Sequence, residues 1–257
     1  PGMMDTVLNL GMNDDIVKGL AHKTGNPRFA YDSYRRFIQM FANVVLGVDS
    51  EKFADVISEY KRANNKNLDI EMETLDWQRV IDQFKTLVDL PQDPFQQLLM
   101  AVEAVFRSWH TPRANVYREM NNIPESLGTA VNVQAMVYGN FSDDSGSGVA
   151  FTRNPSTGEK QFFGEILFNA AGEDVVAGIR TPETIETLNQ KMPEVYQQLM
   201  DTQAMLEKHY RDMQDIEFTI QEGRFFILQT RSGKRTGRAS IKIAVDMVKE
   251  DLISEKE

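Results

Sequence analysis

Asp215-Ile216-Glu217-Phe218-Thr219-Ile220-Gln221-Glu222-Gly223-Arg224-Phe225-Phe226-Ile227-Leu228-Gln229-Thr230-Arg231 alternates apolar and polar side chains on either side of Glu222-Gly223. Alternation of period two around a glycine predicts a β-hairpin with one buried face. Loop length follows from the pattern. A two-residue loop would pair Glu217 with Leu228 and put Ile220 on the face of Gln229. A three-residue loop ending in a left-handed glycine shifts the register by one. Ile216, Phe218, Ile220, Phe226, Leu228 and Thr230 then share a mostly apolar face, and Asp215, Glu217, Thr219, Gln229 and Arg231 share the other with Phe225 and Ile227. The hydrophobic pattern favours the odd loop, because a one-residue slip exchanges the faces.

That register gathers two carboxylates, an amide oxygen and a guanidinium at the end of the hairpin away from its turn. Carboxylate and amide oxygens are hard ligands suited to magnesium, and arginine neutralises phosphate oxygens with paired donors. The competing reading is a solvated polar face on an ordinary hairpin. The pattern alone leaves both open.

Working outward, 257 residues are enough for one large domain or two small ones, and 41% hydrophobic with 26% charged residues is the composition of a soluble globular protein. A net charge of −10 argues against nucleic acid as the main partner, since phosphate backbones need a basic surface. A nucleotide remains compatible, because magnesium and a few local cations can carry it. The chain has no cysteine, which excludes disulfides and thiolate metal sites. It has no apolar run of membrane-spanning length and no signal-peptide pattern. The opening Pro1-Gly2-Met3-Met4-Asp5-Thr6 reads as the tail of a glycine-containing loop, and the chain stops abruptly after a helical stretch at Arg238 to Lys249. Both ends are those expected of a piece of a longer polypeptide.

Upstream, residues 14 to 120 have helical period. Phe29 to Phe41 carries aromatics at helical spacing, a core stripe rather than a cofactor box. Ser50 opens a helix that Asn64-Asn65-Lys66-Asn67 breaks; Thr74 to Leu90 forms another; Asp93-Pro94-Phe95-Gln96 is a capped start. After Pro112 a short helix runs to Met120. The character then changes: Thr129 to Gly139 is strand-like, Ser145-Gly146-Ser147-Gly148 reads as a flexible turn, and Gln161 to Asn169 as a further strand. Ser142 to Gly148 could lie over phosphates, but it lacks the lysine and helix of a Walker loop, and a plain hairpin turn explains it better. Gly172 to Gly178 sets acidic residues between glycines, Thr181-Pro182 is expected to cap a helix, and Met192-Pro193 to start another reaching Arg211. His22, His110 and His209 show no metal-ligand spacing, and no Gly-x-Ser-x-Gly elbow is present.

Pro1 to Gly11, Asn26 to Phe37, Gly148 to Pro155, Gly172 to Pro182 and the Asp215 to Arg231 hairpin, in this order, closely resemble the pyruvate phosphate dikinase family. The resemblance covers nearly the whole chain; the helical insert separates it less decisively from the related phosphoenolpyruvate synthases. It implies an α+β, ATP-grasp-like fold: a helical subdomain at residues 1–120, a mostly antiparallel sheet subdomain at 121–235, and a helical linker at 236–257 toward a phosphohistidine domain. It implies a reaction in which ATP, phosphate and pyruvate become AMP, pyrophosphate and phosphoenolpyruvate, with a phosphohistidine as carrier. By likeness, Glu217 and Gln229 match the Mg2+ and phosphate ligands, Arg231 the catalytic arginine, and Asp215 a further acidic site residue. Gln134 and the backbone around Met136 match adenine contacts, with Glu165 and Glu173 as further nucleotide contacts. The expected partners are ATP and the phosphohistidine domain of the same full-length chain, in a homodimer located in the cytoplasm or an organelle. A phosphate-binding lysine and arginine before Pro1, and a carrier histidine in a Thr-Ser-His-Ala motif, are expected outside this stretch. The alternative for the chain alone is a folded binding or docking module.

Overall fold

Asparagine or aspartate followed by proline opens a helix because the side chain accepts a free amide while proline, at the first helical position, has no amide to satisfy. The computed structural model, which describes residues 4–178 and 180–256, shows this chemistry at the starts of two helices. Asn26 accepts from the Phe29 amide at the start of α2 (Pro27–Val44), after α1 (Ile16–Thr24). Asp49 caps α3 (Ser50–Ala63), α4 spans Thr74–Leu87, Asp93 caps α5 (Pro94–Ser108), and Thr111 caps α6 (Pro112–Met120). The Pro1-Gly2-Met3 opening, Ile179 of the Gly172 to Pro182 stretch and the terminal Glu257 lie outside the described residues.

The chain divides into two compact units, residues 1–136 and 137–257. In the first, the aromatic stripe of α2 is core, as its spacing predicts: Phe29, Tyr34, Phe37 and Phe41 are buried, with Phe53, Trp77 and Phe84 from α3 and α4. Asp32 is also buried and is held by Arg35 at 2.8 Å and Arg36 at 3.2 Å. Burial pushes its carboxyl up, but the charges of Arg36, Arg35 and Arg28 outweigh it and hold Asp32 well below the usual carboxylate range. Arg35 stacks over the Trp77 ring at 4.5 Å.

The second unit is a five-stranded antiparallel sheet with helices, so the chain is α+β as expected. Its strands are β1 (Gly146–Phe151), β2 (Phe163–Phe168), β3 (Glu183–Thr184), β4 (Gln214–Gln221) and β5 (Arg224–Ser232), in the spatial order β3-β2-β1-β4-β5. Helix α7 (Gly172–Ala177) follows β2; α8 (Glu186–Lys191) and α9 (Pro193–Tyr210) precede β4; α10 (Gly237–Lys249) follows β5. Leu188, Val195 and Leu199 of α8 and α9 cover one sheet face, packing on Ala150, Ile166, Phe218 and Ile220. Helix α10 buries Ala239, Ile243 and Met247 against Met213, with Phe151 beside them.

Four expectations are corrected. Residues 129–139 form no strand; most of 129–135 is exposed, and a strand needs a neighbour to pair its backbone groups. Gly146-Ser147-Gly148 is no flexible turn but the start of the central strand β1. Its glycines make room: a Cβ on Gly148 would lie 2.4 Å from the Phe218 ring and 2.7 Å from the Glu165 carbonyl. Thr181-Pro182 leads into β3, and the helix begins only at Glu186. The hairpin loop has two residues, not three.

Candidate functional site: the polar face of the hairpin

At the turn Gln221 pairs with Arg224, and both intervening residues have positive φ, 50° at Glu222 and 71° at Gly223, as in a type I′ turn. A glutamate resists that conformation. Two contacts hold it there: the Glu222 amide donates to Ser145 Oγ at 3.0 Å and the Gly223 amide to the Asp144 carbonyl at 3.0 Å. The turn's register pairs Ile220 with Phe225 and Phe218 with Ile227, so Phe225 and Ile227, not Phe226 and Leu228, share the face of Phe218 and Ile220. The Phe218 and Phe225 rings lie 5.8 Å apart. A bulge at Leu228 then shifts the pairing by one, so that Glu217 faces Gln229 and Asp215 faces Arg231. The bulge thus performs the shift expected of the loop, and the predicted grouping of Asp215, Glu217, Gln229 and Arg231 stands.

Within the group, Arg231 Nε donates to Asp215 Oδ2 at 2.8 Å, while its Nη2 lies 3.3 Å from Glu217 Oε1. The Asp215 side chain is 8% exposed and that of Glu217 38%. Asp215 is therefore the buried anchor of the guanidinium, and Glu217 the carboxylate open to solvent.

Register extends this face across the sheet. Glu165, Val149, Glu217 and Gln229 form one row across β2, β1, β4 and β5. Glu165 and Glu217 are two strands apart, about 10 Å at the usual strand spacing. Leu167, Ser147 and Thr219 form the next row, where Ser147 Oγ and Thr219 Oγ1 are hydrogen-bonded at 3.2 Å and buried. Gly139 crosses above Ser147 so closely that a Cβ would lie 2.2 Å from its hydroxyl, and the Tyr138 amide donates to Gln221 Oε1 at 2.9 Å. Sequence reasoning placed Thr219 on this face but missed Ser147 and this crossing segment. The parity of Thr219 and Gln221 with Glu217 was the available signal.

The family described as pyruvate phosphate dikinase, AMP/ATP-binding domain, matches residues 1–205 and 189–252 of the chain. The chain belongs to this family. Pyruvate, phosphate dikinase of Clostridium symbiosum is 56% identical over 264 residues, which cover 100% of this chain and 30% of that protein. The chloroplastic pyruvate, phosphate dikinase of Mesembryanthemum crystallinum is 55% identical, covering 98% of this chain and 27% of the relative. The Rhizobium meliloti enzyme is 53% identical, covering 100% and 31%. The chain thus spans about 30% of the length of the curated dikinases it matches.

The other residues singled out by the dikinase resemblance are spread more widely. Glu173 is in the first turn of α7, which packs against β1 and β2. Gln134 and Met136 fall in the first unit; Gln134 is exposed and accepts from Asn132 Nδ2 at 3.0 Å. Among the described residues no group of three or more His, Asp or Glu could hold a metal ion. Glu217 and Gln229 nevertheless fit magnesium that keeps waters and phosphate oxygens as its other ligands, since one carboxylate and one amide oxygen stand opposite each other on an open face. His22, His110 and His209 are all exposed, and no described helix is long and apolar enough to cross a membrane.

Proposed function

We propose that the chain is the ATP-binding part of a pyruvate phosphate dikinase, supporting phosphoryl transfer from Mg-ATP to a carrier histidine on another domain of the full-length protein. The observation that carries this reading is the face on which Asp215, Glu217, Gln229 and Arg231 meet across the bulged hairpin. In this reading residues 1–120 are the helical subdomain, 121–235 the ATP-grasp sheet and 236–257 the linker toward the phosphohistidine domain.

Arg231 meets the charge of the transferring group. Asp215 fixes its Nε and Glu217 lies 3.3 Å from its Nη2, so the guanidinium is held in a set position and loses little freedom when it meets phosphate. Glu217 and Gln229 would hold Mg2+, and Glu165 and Glu173 would bind the rest of the nucleotide. When bound, the ion neutralises phosphate charge between the reacting groups. The chemistry asked of the protein is positioning and charge neutralisation, which a preorganised face supplies without reorganising at the moment of transfer. The intact protein converts ATP, phosphate and pyruvate to AMP, pyrophosphate and phosphoenolpyruvate, works as a homodimer, and resides in the cytoplasm or, as the chloroplastic relatives do, in an organelle.

Arg231→Ala in the full-length protein tests the reading. ATP binding should be largely retained while AMP formation falls by about 10³-fold or more, the scale on which an arginine contributes to phosphoryl transfer. Normal AMP formation would remove Arg231 from the mechanism.

A further inference from the structure

The two ends of the β4–β5 hairpin obey different registers. Near the turn Ile220 faces Phe225; past Leu228, Ile216 faces Thr230 and Asp215 faces Arg231. Continued without the bulge, the turn's register would set Asp215 against Thr230 and carry Gln229 and Arg231 to the face that α8 and α9 cover. The polar cluster exists because the open end of β5 is held one residue out of step. A bulge interrupts the ladder, and β5 is an edge strand with a neighbour on one side only. Such an end frays unless it is pinned.

Asp212, just before β4, is placed to pin it. Its carboxylate accepts the two terminal nitrogens of Arg235 at 2.7 and 2.8 Å and Ser232 Oγ at 2.6 Å. Arg235 Nε donates to the Gly233 carbonyl at 2.8 Å, and the Gly233 amide to the Met213 carbonyl at 2.8 Å. A forked, charge-assisted pair is strong and tolerates little displacement, so it selects one alignment of the two strand ends. Gln214 opposite Ser232 is the pair next to this clasp, and Asp215 opposite Arg231 follows.

We infer that Asp212, with Arg235 and Ser232, is a register lock that places Gln229 and Arg231 on the polar face by pinning β5 in the shifted pairing. Asp212 is a positioning residue, acting through the backbone of β5. Its consequence for nucleotide handling rests on the function proposed above; the register itself does not.

Cross-strand nuclear Overhauser effects read the register directly. In Asp212→Ala the Ile216–Thr230 pairing should be lost and amide exchange over residues 229–232 should rise about tenfold or more, while the Ile220–Phe225 pairing near the turn persists. Deleting Leu228 removes the extra residue, so the turn's own register then sets Gln229 opposite Glu217. In that background Asp212→Ala should leave Ile216 opposite Thr230. Should the alanine variant fail to fold, Arg235→Met keeps the Asp212–Ser232 hydrogen bond and should show a smaller loss of the same pairing. Native pairing in the substituted chains, or its loss with and without Leu228, overturns the lock. Mg-ATP titration of the full-length variants separates the two readings. Affinity that falls with the pairing supports both, whereas affinity indifferent to lost pairing overturns the nucleotide assignment of this face and leaves the lock in place.

Discussion

Gly148 shows what a single residue does in this sheet. It sits opposite Phe218 in β4, and the ring lies across the position its side chain would fill. The Phe218 ring could turn aside from an added methyl group, but the Glu165 carbonyl, 2.7 Å from the same point, belongs to a paired strand and cannot move without breaking the ladder. Gly148→Ala should therefore destabilise the second unit by about 1–3 kcal/mol, the usual cost of overpacking, read as a lower urea midpoint with an unchanged slope. Glu222 makes the complementary point. Its left-handed backbone is compatible with its type only because Ser145 and Asp144 receive the turn amides. Neither effect can be read from neighbours in sequence, since Gly148 is confined by Glu165 and Phe218 on paired strands and the turn at Glu222 by Asp144 and Ser145 of a distant loop.

Among elements, α10 depends on a cluster that no local pattern announces. Arg153, two residues past β1 and fully buried, forks onto Glu207 of α9 at 3.0 and 3.0 Å and onto Glu250, at the end of α10, at 3.2 and 2.8 Å. Lys160 reaches Glu250 at 2.7 Å. Burial disfavours the Arg153 charge, but hydrogen bonds from Arg153 to Glu207 and Glu250 more than compensate and raise its pKa above the ordinary arginine value. Removing one partner leaves the other charge buried and uncompensated, whereas removing both does not. Arg153→Met should cost about 3–5 kcal/mol in the unfolding free energy, and Arg153→Met with Glu207→Met should recover much of it. Chemical denaturation of the two variants checks the sign and the recovery. The helices themselves were legible in sequence. The cap predicted at Asp93-Pro94 appears where expected, and Asn26-Pro27 and Thr111-Pro112 cap their helices over the same three or four residues.

At the scale of the whole chain, each unit has a core of its own: Tyr34, Phe37, Trp77 and Phe84 in the first, Ile166, Leu199, Phe218 and Ile220 in the second. Residues 128–135 lie before the boundary, lack regular structure and are mostly exposed. Limited proteolysis should cut first in this stretch, where no buried backbone must open, and leave two fragments that keep slow amide exchange in their cores. The strand expected over 129–139 failed for the same reason, because alternation marks a strand only where a neighbouring strand accepts its hydrogen bonds. By itself the sequence determined most of the helices and the place of the turn at Glu222-Gly223, since these follow from caps and periodicity over a few residues; it grouped the four polar residues on one face through a three-residue loop that the chain does not form. Tertiary structure alone decided how those four come to share it: a two-residue turn set by contacts from Asp144 and Ser145, a bulge at Leu228, and a clasp at Asp212. Register depends on both ends of a hairpin, and here the two ends are held by parts of the chain that pattern along β4 and β5 does not contain.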